Sequence, residues 1–64
     1  MKIYLERQNT SKNITFKGTV YQLLNKLNLN PVAVIVVRND ALITADTQLK
    51  NTDTVEIKSV ISGG

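Results

Sequence analysis

The sequence ends in Ser62, Gly63 and Gly64, and this ending is the segment best suited to chemistry with another molecule. Glycine has no side chain, so a Gly-Gly ending forms a thin strand that can enter a narrow channel. We predict a flexible tail over 62–64 in which Gly64 carries the reacting carboxylate. Ser62 and Gly63 would thread into a partner's active site. A terminal Gly-Gly alone is a weak signal, because a chance ending would look the same.

Other residues that could perform catalysis or bind a metal are scarce. The 64 residues include no Cys and no His, which excludes disulfides, Cys/His zinc sites and Cys or His nucleophile–base pairs. The carboxylates Asp40, Asp46, Asp53 and Glu56 could in principle pair for acid–base work. Two of them, Asp40 and Asp53, lie in turn patterns, where Asp commonly hydrogen-bonds the backbone. We therefore expect no catalytic residue, no metal site and no bound cofactor.

Length and charge limit the remaining function classes. A chain of 64 residues forms one small domain with no room for a deep active-site cleft. The net charge is +3, but the basic residues are scattered, whereas a nucleic-acid interface would cluster them among aromatics. Met1 leads directly into an alternating pattern, and the longest apolar run, 32–37, is too short to span a membrane. We expect a cytoplasmic protein without a membrane or nucleic-acid partner.

The first half of the chain is predicted to form two strands and a helix. Alternation over 2–6 and again over 14–16, across a polar turn at 9–13, predicts a β-hairpin. Apolar residues then follow the helical spacing, and Thr19 opens a Thr-x-x-Gln capping box. These signals predict a helix over 20–28, which cannot continue through the proline that follows.

The second half reads as three strands, over 32–37, 41–43 and 54–58. The first of them is apolar on both faces, which is typical of a central strand. One face is expected to pack on the helix. Because there is no second helix, the other face is either an exposed apolar patch that binds a partner or is covered by neighbouring loops. Parity alone leaves open which pair of residues, Val34/Val36 or Ile35/Val37, faces outward.

The element order is β-β-α-β-β-β, an α+β arrangement with one helix packed on one face of a mixed sheet of four to five strands. A crossover through the helix places the strand from Val32 parallel to an earlier strand. The last strand, from Thr54, is expected beside the first. This arrangement is the β-grasp, or ubiquitin-like, fold, with one domain over 1–61 and the tail over 62–64.

The second half also carries a pattern of motifs. It comprises a Val-rich strand, a turn, a short polar connection with one Leu, a second turn, a Val-Glu-Ile strand and a Gly-Gly ending. In this sequence the motifs read Val36-Val37-Arg38-Asn39-Asp40, Asp46-Thr47-Gln48-Leu49, Asn51-Thr52-Asp53, Val55-Glu56-Ile57 and Val60-Ile61-Ser62-Gly63-Gly64. The chain resembles the ThiS/MoaD-type sulfur carrier proteins, a ubiquitin-like β-grasp family that includes the archaeal small ubiquitin-like modifiers. The resemblance covers nearly the whole chain.

Two turn residues depart from the family pattern. Asp40 and Thr52 stand where the family has Gly. The neighbouring Asn39 and Asn51 tolerate left-handed backbone geometry, so we expect distorted turns within the same fold. The connection over 40–51 is shorter than in the bacterial thiamine carriers and closer to the molybdopterin carriers and archaeal modifiers, which leaves the pathway open.

The resemblance implies that partner enzymes act on the Gly64 carboxylate. A ubiquitin-activating-type adenylyltransferase, ThiF/MoeB-like, would adenylate it with ATP, and a sulfur donor such as a cysteine desulfurase would supply sulfur for a thiocarboxylate. The acceptor would be a thiazole synthase in thiamine biosynthesis, the molybdopterin synthase large subunit or a tRNA thiolase. In archaeal relatives the activated carboxylate also forms isopeptide bonds with lysines. The chain itself would be a carrier and not an enzyme.

A carrier of this kind needs a surface on which its partners dock. We place that surface on the exposed side of the sheet, with the candidate residues Ile35, Val37, Lys58 and Val60. The alternative is a β-grasp RNA- or protein-binding module without C-terminal chemistry, because a fold does not fix a function.

Overall fold

The computed structural model describes residues 1–60, so Ile61 and the predicted tail residues Ser62, Gly63 and Gly64 lie outside the described part of the chain. Seven strands, one α-helix and one short 3₁₀ helix are assigned within it. They are β1 (Lys2–Leu5), the 3₁₀ helix (Glu6–Gln8), β2 (Thr10–Asn13), β3 (Gly18–Thr19), α1 (Val20–Lys26), β4 (Val34–Arg38), β5 (Ala41–Ile43), β6 (Gln48–Leu49) and β7 (Thr54–Ser59).

Five of these strands form one mixed sheet in the order β2-β1-β7-β4-β5. Strand β7 pairs with β1 in parallel and with β4 antiparallel, and the two outer strands are antiparallel to their neighbours. Strand β4 therefore runs in the direction of β2, as the crossover predicts, with β1 and β7 between them. The last predicted strand, β7, lies beside the first, β1, as expected. The α+β β-grasp prediction is confirmed.

The turn and the second strand of the first hairpin lie earlier in the chain than predicted. The polar segment expected as a turn is strand β2, and the turn precedes it, ending at Asn9 in the left-handed region with φ of 49°. All four β2 residues are exposed, because an edge strand is held by backbone pairing and needs no buried face. The predicted strand over 14–16 is a connecting segment whose apolar residues, Ile14 and Phe16, still pack against the core.

The turn at Asn39 and Asp40 lacks the distortion that we expected from the replacement of the family's glycine. Asn39 and Asp40 join β4 to β5 with φ of 55° and 63°. Two-residue hairpin loops of type I′ require positive φ at both central positions, and Asn and Asp are among the residues that accept it. Asp40 therefore replaces the family's glycine without distorting the hairpin.

Helix α1 begins where the sequence predicts. The Thr19 side chain accepts a hydrogen bond from the Gln22 N–H, and the Gln22 side chain accepts one from the Thr19 N–H, so the capping box is complete. The helix ends at Lys26, two residues before the predicted end. Asn28 follows in the left-handed region, and the Leu29 N–H donates to the Leu24 carbonyl at 2.8 Å, which closes the last turn.

The core lies between α1 and one face of the sheet. Its most enclosed side chains come from four different elements, and no described polar side chain is buried with them. These side chains are Ile3, Val20, Leu23, Leu49 and Val55. Leu49 is the one Leu of the predicted polar connection. It belongs to β6, which pairs with β3 in a separate two-stranded sheet, and its buried side chain fixes that small sheet to the core.

Replacing Leu49 with Ala should lower the free energy of unfolding by about 2–5 kcal/mol, because the change leaves a cavity in a closed core. This loss is a large share of the stability expected of a small domain. Urea unfolding followed by circular dichroism measures it. The matched control is Leu42→Ala, in which the same atoms leave a side chain that is 69% exposed. Equal losses in the two variants would contradict the placement of Leu49.

Candidate functional site

The described chain ends beside the middle of the sheet. After β7, the Val60 N–H donates to the Ala33 carbonyl at 3.0 Å and continues the ladder between β4 and β7 by one rung. We call this rung the tail root, because the predicted tail follows directly from it. Whether the domain ends at 61 and the tail covers 62–64 stays a prediction.

The loop over 28–33 positions the Ala33 carbonyl, which is the acceptor in the tail root. The Ala33 N–H donates to the Asn30 backbone carbonyl at 3.0 Å, and the Val32 N–H donates to the Asn30 side-chain Oδ1 at the same distance. Asn30 therefore fixes both residues that precede β4. The tail root is built from backbone groups, and the loop that supplies its acceptor is itself hydrogen-bonded to the helix end.

We define the outer sheet face as the side of the five-stranded sheet away from α1. The structure shows which residues of β4 lie on it. Val36 is only 3% exposed and packs in the core, so Ile35 and Val37 face outward. In the register of β4 with β7, Ile35 lies opposite Lys58 and Val37 opposite Glu56. Three of the four candidate docking residues thus share one surface.

Two ion pairs cross this surface. The Lys58 Nζ lies 3.5 Å from Glu6 Oε2 and 3.7 Å from Glu56 Oε2. All three side chains are well exposed, and exposed pairs contribute little to stability. Their effect is to balance the charge of Lys58 with carboxylates of the same chain. Lys58 therefore attracts an acidic partner less strongly than an unpaired lysine would.

Two further side chains on the outer sheet face, those of Leu42 and Tyr4, were not predicted from the sequence. Leu42 lies opposite Val37 and is 69% exposed, and Tyr4 lies opposite Glu56 on the other side. Alternation within 41–43 was available as a signal for Leu42, but strand order was needed to place it beside β4. The fourth candidate, Val60, is 52% exposed and sits at the tail root.

A cavity of about 340 Å³ opens at the same end of the sheet as the tail root, and we call it the root cavity. It lies between the 3₁₀ helix, the loop over 28–33 and the ends of the strands. Its apolar lining comes from Leu5, Leu29, Val34 and Ile57, and its polar rim includes Arg7 and Asn30. No sequence signal marks it, because its residues come from three separate segments of the chain, 5–8, 28–34 and 57–59.

Two of the carboxylates that could have paired for catalysis, Asp53 and Glu56, have other partners. The Asp53 carboxylate accepts from the Lys50 N–H at 2.8 Å and from Arg38 at 3.2 Å. The Lys50 bond foremost, and then Arg38, lower the pKa of Asp53, although burial opposes the shift. Glu56 pairs with Lys58. Within residues 1–60 there is no group of three or more carboxylates that could hold a metal ion.

Comparison with known proteins places the chain in a family. The ThiS family model matches residues 5–64. The chain belongs to the ThiS family. It is also 38% identical over 55 residues to the "Sulfur carrier protein TtuB" of Thermus thermophilus, an alignment that covers 83% of this chain and 85% of the relative. The resemblance to ThiS/MoaD-type sulfur carriers is confirmed.

Membership of the ThiS family settles the class of the protein. Sulfur carriers of this family act as carriers and not as enzymes. Among the described residues, no helix is long and apolar enough to cross a membrane. The roles predicted for Ile35, Val37, Lys58 and Val60 stay predictions, and those of the tail residues fall outside the described part.

Replacing Asp53 with Asn should lower the free energy of unfolding at neutral pH by about 1 kcal/mol, because a charged acceptor is lost from two hydrogen bonds. Since folding lowers the Asp53 pKa, its contribution is complete above the usual Asp pKa of about 3.9 and disappears as the pH falls through the folded value. Urea unfolding from neutral to acid pH measures the difference. Asp40→Asn removes the same charge as a control, and identical pH profiles for both variants would contradict the assignment.

Proposed function

We propose that this chain carries sulfur as a thiocarboxylate on Gly64. The observation that carries the proposal is the match of the family model, which runs from residue 5 through Gly64 and so includes the Gly-Gly ending. The name of the Thermus thermophilus relative, a sulfur carrier protein, supports it. The chain offers no competing reactive group, since it has neither Cys nor His.

The proposed chemistry takes place in partner enzymes. A carboxylate is a poor electrophile, so an oxygen of the Gly64 carboxylate first attacks the α-phosphate of ATP and releases pyrophosphate. The acyl-adenylate then has a good leaving group, AMP, which the terminal sulfur of a donor persulfide displaces, and donors in the partner's site can stabilise the oxyanion that forms. A thiol then attacks the other sulfur of the resulting acyl disulfide, which releases the Gly64 thiocarboxylate and leaves a disulfide on the sulfur donor. The activating enzyme is a ubiquitin-activating-type adenylyltransferase, and a cysteine desulfurase is the proposed source of sulfur.

The proposed docking surface for these partners is the outer sheet face with Val60 beside it. Ile35 and Val37 provide apolar area next to the tail root, and Lys58 with its two carboxylates provides a polar border. An apolar centre with a charged rim is the usual composition of a protein interface. One surface would serve both the activating enzyme and the sulfur acceptor, so the carrier would visit them in turn.

The acceptor is a thiazole synthase, the molybdopterin synthase large subunit or a tRNA thiolase, and the genes neighbouring this one would distinguish them. Activation of Gly64 also makes conjugation to lysine chemically accessible, since an amine can displace AMP as a sulfur nucleophile does. The use of ATP by the activating enzyme agrees with a cytoplasmic protein.

Incubation with the activating enzyme of the same cell, ATP and a sulfur donor should replace one oxygen of the Gly64 carboxylate with sulfur. Intact-mass spectrometry measures the rise, which equals the difference between the two atoms, and fragmentation places it. Removing Gly64 should abolish the change while leaving the thermal unfolding curve unaltered, because the described core ends before it. A wild-type chain that gains no sulfur from an enzyme shown to be active would refute the proposal.

Replacing Val37 with Asp should weaken docking, because a carboxylate would lie in the apolar centre of the outer sheet face beside Glu56. We expect KM for charging to rise about tenfold, the cost of one important interface contact. Ser11→Asp is the control, since it adds the same charge at the polar edge strand of this face. If both variants charge like the wild type, the outer sheet face is not the docking surface.

A further inference from the structure

The tail root limits how far a partner can lie from the described domain. Gly64 lies four residues after Val60, and four residues span at most about 14 Å when fully extended. If Gly64 is activated inside an enzyme, as the proposed function states and as this inference requires, the wall of that enzyme must approach the tail root closely. The surfaces around the tail root are then covered in the complex.

The root cavity is the concave feature at this position. Ser59, the last residue of β7, is part of its wall, and Ala33, the acceptor of the tail root, is another. Its floor includes Leu5 and Ile57, which are nearly fully buried, so the floor belongs to the rigid core. A cavity of about 340 Å³ with this lining has room for a branched apolar side chain. The tail and the cavity therefore face a partner from the same end of the sheet.

Arg7 provides a charge at the rim of the root cavity. It is exposed, and within residues 1–60 its side chain has no described hydrogen bond or ion pair. The neighbouring carboxylate, Glu6, is engaged by Lys58 at 3.5 Å and so does not neutralise it. A cation that is free of its own chain at the mouth of an apolar cavity favours a partner with a carboxylate beside an apolar side chain.

We propose that the root cavity is a docking site for the activating enzyme. It takes one apolar side chain of that enzyme, and a neighbouring carboxylate of the enzyme pairs with Arg7. This contact is separate from the outer sheet face, on which Ile35 and Val37 lie. Together with the tail root, it fixes the distance and direction from which residues 61–64 enter the partner's active site.

Filling the root cavity should therefore impair charging. Ala33→Leu adds a branched side chain at the wall and leaves the backbone carbonyl that accepts from Val60. We expect KM for charging to rise about tenfold with kcat within about twofold, as for loss of one anchor contact. Ala41→Leu makes the same change on the exposed edge strand β5 and should leave both constants near the wild type. Equal behaviour of the two variants would overturn the proposal.

Reversing the rim charge tests the second part. Arg7→Glu should raise KM and make KM depend less on salt than it does for the wild type measured alongside, because rim charges act mainly on the rate of association. Lys17→Glu is the matched control. Lys17 is exposed and follows Phe16, whose N–H donates to Asn51 near the start of β7, at the end of the sheet opposite the tail root. If Lys17→Glu has the larger effect, the attraction is not local and the proposal fails.

A binding measurement separates this inference from the proposed function. The ¹⁵N-labelled wild-type chain is mixed with the unlabelled activating enzyme without ATP, and the amide signals of Leu29 and Ala33 should shift or broaden. A wild type that shows these changes but gains no sulfur would refute the thiocarboxylate and retain the docking site. Signals that stay unchanged, or that change in the chain alone with concentration because a second copy fills the cavity, would overturn the docking site.

Discussion

The pairing of β7 with both β1 and β4 is the interaction on which the rest of this structure depends. The parallel ladder to β1 joins the segments before and after the helix, and the antiparallel ladder to β4 joins two strands that both follow the helix. Val55 and Ile57 of β7 are almost fully buried under α1, so the same strand also carries the core. The hydrophobic effect thus holds in place the strand that precedes the proposed reacting end.

A consequence is that the root of the tail is rigid even though the tail residues have almost no side chains of their own. The rung from Val60 to Ala33 is one hydrogen bond, but its acceptor belongs to a loop closed by Asn30 and by the end of α1. An enzyme that bound Gly64, as proposed, would therefore not have to order the chain up to Val60. Pre-organisation of this kind lowers the entropy lost on binding.

The features predicted correctly from the sequence are those with strong local signals. The Thr19 capping box, the Leu49 anchor and the alternation around Val55 each depend on neighbours within a few residues, and each is found. The first hairpin was misplaced because its edge strand is polar and gains nothing from burial. The outward face of Ile35, the partners of Lys58 and the root cavity could not be predicted, because all three depend on which strands become neighbours. Family membership, by contrast, was readable from motifs alone.

The central position of β7 also bears on how the protein is made. Synthesis proceeds from the N-terminus, and the strand that joins β1 to β4 is the last one to leave the ribosome. Before it arrives, β1 and β4 have no common neighbour and the apolar face of α1 is only partly covered. Pairing across nearly the whole chain is slow relative to local structure. A nascent chain that stops short of β7 lacks the buried Val55 and Ile57 and the strand that joins β1 to β4, so we expect it to fold poorly and to be open to proteolysis.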